Sequence, residues 1–327
     1  MNRRPSCLPD SPAALFIPGF SRVDLIGPDA TKIANGLCTA DLKKLESGKS
    51  VEAFFTDERG WVKEYVVVTR ADDDLQLSGL IGDSKSLLNH LDRFVFRENV
   101  ALRDRTNQVV GYLLYLTQPE TDGRRLLNAL IGHETAGDIE GRVSCTAGGV
   151  EMQVQPYPIA LGPTCLLQVA AEDQEAAEDV LRGLGIQCVR DDNLFECVRV
   201  ESVWPRVGSE IVEKVLPQEL DRDQRAISFT KGCYLGQETV ARLDALGQVQ
   251  RKIRLLHMEP SDPTADISSW KAGAAVESDG KQVGVLTSVS VSRDGLPHAL
   301  GYIRRAALNT EARLTVGSCA ARVSVAH

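Results

Sequence analysis

Lys231-Gly232-Cys233-Tyr234-Leu235-Gly236-Gln237-Glu238 gathers a cation, a thiol, two glycines, an amide and a carboxylate into eight residues. After it, residues 239–246 place Val240, Leu243 and Leu246 on one side of a helical period, and Gly247 stands where such a helix would stop. The spacing predicts a thiol just ahead of a helix start, where unpaired backbone N–H groups and the macrodipole favour negative charge. With Lys231 nearby, Cys233 is a candidate thiolate, able to act as nucleophile or metal ligand. A second reading stays open: Cys233 as a small buried hydrophobe, with the glycines only shaping a turn.

The 327 residues are 43% hydrophobic and 25% charged, an ordinary globular composition long enough for two or three domains. A net charge of −8 argues against a broad phosphate-binding surface, so direct nucleic-acid binding is not expected. Eight cysteines are scattered from Cys7 to Cys319 with no Cys-x-x-Cys pair and no Cys/His spacing of a zinc site. They read as reduced and mostly buried, with no resident metal. Prolines interrupt the first ten residues before a signal-like apolar run develops, and no segment reaches the roughly 18 to 20 apolar residues of a membrane span. The expectation is a cytoplasmic protein.

Residues 51–69 alternate as a hairpin turned by Asp57-Glu58-Arg59-Gly60, and residues 83–98 carry Leu87, Leu88, Leu91, Phe94 and Val95 at helical spacing. With strands at 75–78, 100–104 and 109–116 they predict an α+β unit over about 50–116. Strands at 152–155 and 165–169 and a helix at 173–184 belong to a second unit, interleaved with the first within residues 1–250. From Arg251 only strand patterns follow, with a hairpin across Asp279-Gly280, so residues 251–327 form an all-β end domain. No internal repeat is visible.

Lys-Gly-Cys-aromatic-x-Gly-Gln-Glu, with Arg242 a few residues on, resembles the signature of the YgfZ family of folate-binding proteins, within the superfamily of the glycine-cleavage T-protein, an aminomethyltransferase. Other segments match in the same order. Asn35-Gly36-Leu37-Cys38-Thr39-Ala40-Asp41 is similar to the family's Leu-Asn-Gly-Leu-x-Thr-x-Asp, with Ala34 in place of the first Leu. The stretch from Arg199 through Glu201 and Pro205 to Glu210 resembles Arg-x-Glu-x-x-x-Pro-x-x-Gly-x-Glu, and Leu216-Pro217-Gln218-Glu219 follows. Gly284-x-x-Thr287-Ser288 and Ala299-Leu300-Gly301-Tyr302-x-Arg304 resemble the superfamily's C-terminal barrel.

The resemblance implies an α+β fold, a T-protein-like ring of two α+β units, one ferredoxin-like, closed by an all-β barrel around a cleft for tetrahydrofolate. It implies Glu201 as the anchor for the pterin, whose adjacent N–H donors one carboxylate can accept as a fork. Arg199 would support it, and Trp204 and Tyr234 would stack on the ligand's rings. Gln237 and Arg242 would support the motif. Cys233 would be the reacting thiolate or a transient iron-sulfur ligand. Counted from Gly60, Glu64 falls nearest the acid that polarises folate in T-proteins, and Lys63 reverses its neighbour's charge. The implied function is a tetrahydrofolate-binding protein supporting iron-sulfur cluster assembly or repair, with carrier or client proteins as partners and an indirect effect on tRNA-modifying enzymes. Two alternatives stand beside it: an aminomethyltransferase acting on tetrahydrofolate, and a non-enzymatic folate-dependent scaffold.

Overall fold

The computed structural model describes residues 7–80, 84–116, 120–134, 139, 141–157, 164–247, 249–259, 267–292, 295–308 and 313–324. Its strands form three sheets. The first has five strands in the order β3 (Ser50–Thr56), β4 (Val62–Ala71), β5 (Asp74–Gly79), β2 (Ser21–Ile26) and β6 (Ala101–Asp104), antiparallel throughout. Helices α1 (Ala30–Leu37) and α2 (Ser84–Asp92) cover one face, where Ile33, Leu37, Leu87 and Leu91 meet the strands' Val23, Phe55, Val66 and Val68. Each such side chain contributes about 1.5–3 kcal/mol by leaving water.

The second sheet has six strands in the order β11 (Gln187–Val189), β1 (Ala13–Phe16), β7 (Val109–Tyr115), β10 (Thr164–Ala170), β9 (Val150–Pro156) and β8 (Val143–Ala147). Only β1 and β11 run parallel. Helices α3 (Glu120–Ile131) and α4 (Gln174–Gly183) belong to this unit.

The two units share one β-α-β-β-α-β plan, with β1 inserted between the first and last strands of the second. In the first, β2-α1-β4-β5-α2-β6 gives the spatial order β4-β5-β2-β6; in the second, β7-α3-β9-β10-α4-β11 gives β9-β10-β7, then β1, then β11. Both are split β-α-β-β-α-β folds of ferredoxin type, with β3 and β8 as matching edge additions. A repeat invisible in the sequence is therefore present in the fold. The unit expected over about 50–116 is also redrawn. β2 joins the first sheet and β7 leaves for the second, because alternation marks a strand without saying which sheet it enters.

The third sheet is a closed antiparallel barrel in the order β12 (Arg251–Met258), β15 (Pro297–Arg304), β14 (Lys281–Val291), β13 (Ala275–Ser278), β16 (Leu314–Val316) and β17 (Cys319–Ser324). β17 pairs back onto β12, which leaves no open edge. Between units and barrel lie α5 (Asp192–Glu201), the single turn α6 (Asp223–Ala226) and α7 (Gln237–Leu246). Asp191 caps α5 by accepting the Asn193 and Leu194 N–H groups. A central apolar cluster draws Leu15, Phe54, Leu166, Trp204, Tyr234 and Tyr302 from all these parts. Among the described residues no helix is long and apolar enough to cross a membrane.

Candidate functional site

The motif loop is held by its charge and its glycine, and offers its thiol. Lys231 is buried, and its ammonium donates to the carbonyls of Asn35 at 2.8 Å, Cys38 at 2.9 Å and Ala40 at 2.5 Å. Three donors meet three acceptors at the C-terminal end of α1, where a cation is favoured. Lys231 thus serves as a clamp between the motif and the Asn35-to-Asp41 segment. Its expected part as a cation for Cys233 gives way to this, because the carbonyls at the end of α1 saturate its N–H groups. Leu235 N–H donates to Gly36 O at 2.9 Å and Thr56 Oγ1 to Leu235 O at 2.7 Å, extending the seam. Asn35 is structural too, its side chain accepting the Leu42 N–H.

Gly236 sits at φ +79°, and a Cβ there would lie 2.4 Å from the Asp57 carbonyl oxygen and 2.6 Å from Gly60 Cα. Only glycine lets the motif press this closely on the β3–β4 turn. α7 then starts at Gln237 and stops at Gly247, which takes a left-handed φ of 65°, as the spacing predicts. Cys233, two residues beyond the buried lysine, is the one exposed cysteine of the eight. By contrast, burial pushes the Cys38 thiol up to about 11, so it stays a neutral thiol at physiological pH. Tyr234 is buried in the central cluster with the Lys231 ammonium 5.1 Å from its ring, and Arg242 is exposed on α7.

Around Arg199 every charge is consumed internally. The fully buried guanidinium donates to Glu196 at 2.6 and 2.9 Å, to Glu210 at 2.9 Å and to the Trp204 carbonyl at 2.7 Å. Glu210 accepts in turn from Thr287 at 2.8 Å and Ser288 at 2.5 Å, and its carbonyl from the Tyr302 hydroxyl at 2.8 Å. The Arg199-to-Glu210 pattern and the barrel motifs are thus two halves of one joint. Arg199 is correspondingly a structural residue rather than a ligand group. Trp204 is fully buried, edge-on to Tyr157 and Phe195, so it lines the core rather than an open cleft. Glu201, at the end of α5, accepts from Cys197 Sγ at 3.7 Å and lies 3.1 Å from His298 Nδ1 of the barrel.

Glu64 lies elsewhere. A bulge at Lys63, between the pairs Phe55↔Glu64 and Thr56↔Val62, reverses the alternation of β4. Val62, Tyr65 and Val67 face the central cluster, whereas Glu64 faces α2 and lines a cavity of about 250 Å³ with Lys63, Asn89, His90 and Arg93. Counting from Gly60 could not register the bulge, and Glu64 is not brought together with Glu201. Burial, then Arg93, holds His90 below its usual range.

Sequence reasoning missed a buried polar group on the central side. Glu52 of β3 shares the pleat face of Phe54 and accepts the Tyr65 hydroxyl, with Arg222 3.3 Å and Arg225 3.7 Å away. Arg222 also donates to the Ser202 carbonyl at 3.1 Å, joining this group to the end of α5. Among the described residues, Glu52 Oε1, Tyr157 Oη and Trp204 Nε1 are buried with no hydrogen-bond partner. Burial, with the Glu52 charge adding to it, pushes Tyr157 well above the usual phenol range, so it remains a neutral donor. The one available signal was a glutamate inside the otherwise apolar run of β3.

No family model matches the chain. Across 97% of its length it superposes on 86% of the glycine cleavage system aminomethyltransferase T from Bartonella henselae, with a TM-score of 0.77 at 17% identity. The protein thus has the T-protein fold, two α+β units and a barrel meeting at one seam. In sequence it is 24% identical to a chloroplastic Arabidopsis thaliana protein named as a transferase, over 91% of this chain and 66% of that protein, just under two thirds of its length. It is 23% identical to the tRNA-modifying protein YgfZ of Vibrio atlanticus, over 74% of this chain and 69% of that protein. The chain is thus similar in sequence to proteins named YgfZ and, in fold, to a T-protein.

Proposed function

We propose that this protein binds tetrahydrofolate at the seam between its two α+β units and supports iron-sulfur cluster assembly or repair through Cys233. The observation that carries the reading is the exposure of Cys233 alone among eight cysteines, on a loop that Lys231 and Gly236 clamp to the first unit. A thiolate there can attack an electrophile or ligate iron of a cluster held as cargo, with Gln237 and Arg242 flanking it on α7.

The residues at the seam fit a pterin. Its ring carries adjacent donors and acceptors, and Glu52 Oε1, Tyr157 Oη and Trp204 Nε1 supply buried complements of both kinds. Glu201 would anchor the pterin's donor pair by exchanging its contact with His298. Tyr234, in the same cluster, offers a ring face. Folate would supply one-carbon chemistry; the chain's own residues hold and desolvate it. Aminomethyl transfer fits less well, because Glu64 faces α2 and not this seam. The effect on tRNA modification, suggested by the names of relatives, runs through the clusters that modifying enzymes need, which agrees with the net charge of −8.

Complementation tests the reading. In cells lacking the protein, Cys233→Ala should fold and bind tetrahydrofolate as the wild type does yet fail to restore iron-sulfur enzyme activity. Full restoration by Cys233→Ala would remove the role assigned to the thiol.

A further inference from the structure

Cys7, Cys197 and Glu201 lie far apart in sequence, yet their ligand atoms fall within 4.8 Å of one another and all three residues are buried. Cys197 and Glu201 are four residues apart on α5, so successive turns point them the same way. Cys7 approaches from the N-terminal segment, and β15 of the barrel brings in His298. Glu201 Oε1 lies 3.7 Å from Cys197 Sγ and 3.1 Å from His298 Nδ1. Tetrahedral zinc, with bonds of about 2.0–2.3 Å, separates its ligand atoms by about 3.3–3.8 Å. Small side-chain rotations close the remaining gap.

We propose that Cys7, Cys197 and Glu201 form a binding site for a divalent transition metal of zinc type, with His298 as the positioning residue that orients the carboxylate. The donor set selects the ion: two thiolates and a carboxylate suit zinc and disfavour magnesium or calcium, which take oxygen ligands. The electrostatics agree. Burying sulfur and carboxylate groups together is costly unless a cation compensates them. Thiolate ligation would release the thiol protons to solvent, so binding should be pH-dependent. His298 Nδ1–H donating to Glu201 is the carboxylate–histidine support that metal ligands commonly receive. Its ring stands edge-on to His257 with centroids 4.4 Å apart, which fixes the imidazole plane. Three protein ligands leave a fourth position for solvent or a substrate atom. The site would tie the N-terminal segment and α5 together beside the barrel.

This inference does not rest on the folate reading. Glu201 cannot serve metal and pterin at once, so the test uses folate-free protein and a failed folate titration leaves it untouched. The full chain carrying Cys233→Ser, which removes the exposed thiol, is treated with chelator under a phosphine reductant and titrated with Co²⁺. One equivalent should bind, giving intense visible bands of a tetrahedral ion and a thiolate-to-cobalt charge-transfer band, and Zn²⁺ should displace it. Cys7→Ser and Cys197→Ser should each weaken the charge-transfer band and lose the Zn²⁺-dependent rise in melting temperature. His298→Ala should keep the band at saturation but bind about 10–100-fold more weakly. Absence of a stoichiometric thiolate–cobalt spectrum would overturn the proposal, as would binding indifferent to both serine variants, or a Cys7–Cys197 disulfide in freshly isolated protein. Circular dichroism of the metal-free variants separates lost ligation from lost folding.

Discussion

The loop 231–238 and the segment 199–210 are both dense in charge, and they use it in opposite ways. In the segment, Arg199, Glu196 and Glu210 neutralise one another and bolt α5 to the barrel through Thr287 and Ser288. In the loop, one charge is buried so that a neighbour can be exposed: Lys231 disappears into the α1 carbonyls, and Cys233 stands in solvent. A charged signature residue is therefore no guide to chemistry until its partners are known. Where partners are internal the residue builds the scaffold, and the reactive group is the one left outside.

The largest effect expected from this contrast is at Arg199. Arg199→Ala strands the wholly buried Glu210 and should lower stability by about 3–5 kcal/mol in a denaturant titration. A loss below about 1 kcal/mol would mean that the joint is not what holds α5 to the barrel.

Lys231→Met should be next. It removes three charge-assisted hydrogen bonds while keeping the aliphatic stem, for a loss of about 2–3 kcal/mol. It should also loosen the motif loop, seen as faster amide exchange at Leu235, whose N–H bonds Gly36. Unchanged exchange would separate the lysine from the loop it is said to clamp.

Asp223 sharpens the comparison by pH. Burial raises its carboxyl from 3.8 to about 6 despite Lys252. The folded protein therefore holds this proton more tightly than the unfolded chain, and the contribution is full below about 4 and lost as pH rises through about 6. Asp223→Asn should gain about 1 kcal/mol at pH 7, after allowance for solvent screening, with the gain vanishing near pH 4. Thermal melts across that range check the sign.

At the small end, Cys233→Ala should change stability by less than about 0.5 kcal/mol, as expected for an exposed position. Alkylation of the native protein with iodoacetamide, read by mass spectrometry, should label Cys233 before any other cysteine. Preferential labelling elsewhere would contradict the division of labour between Lys231 and Cys233.

Much of the fold was legible where the signal is local. The β3–β4 hairpin turned at Gly60, α7 ended by Gly247, and the switch to strands alone at Arg251 all follow from period and turn chemistry. What stayed hidden depends on distant partners. Nothing near β7 says that it leaves its neighbours for the second sheet, and nothing near Lys63 announces the bulge that turns Glu64 toward α2. The same holds at the site. The motif located Cys233, but Lys231 chose its acceptors through contacts about two hundred residues away in sequence. Glu52 and Tyr157 belong to no motif and meet only because two sheets pack.

The most direct test is calorimetric titration of tetrahydrofolate into the wild type and into Tyr157→Phe, which deletes one hydroxyl that has no hydrogen-bond partner among the described residues. Losing that hydroxyl should leave stability equal or slightly higher. Folate binding at the seam predicts saturable binding by the wild type and about 3–10-fold weaker binding by Tyr157→Phe, the worth of one neutral hydrogen bond. No binding by the wild type, or equal affinity in both proteins, would contradict a folate site built on the seam.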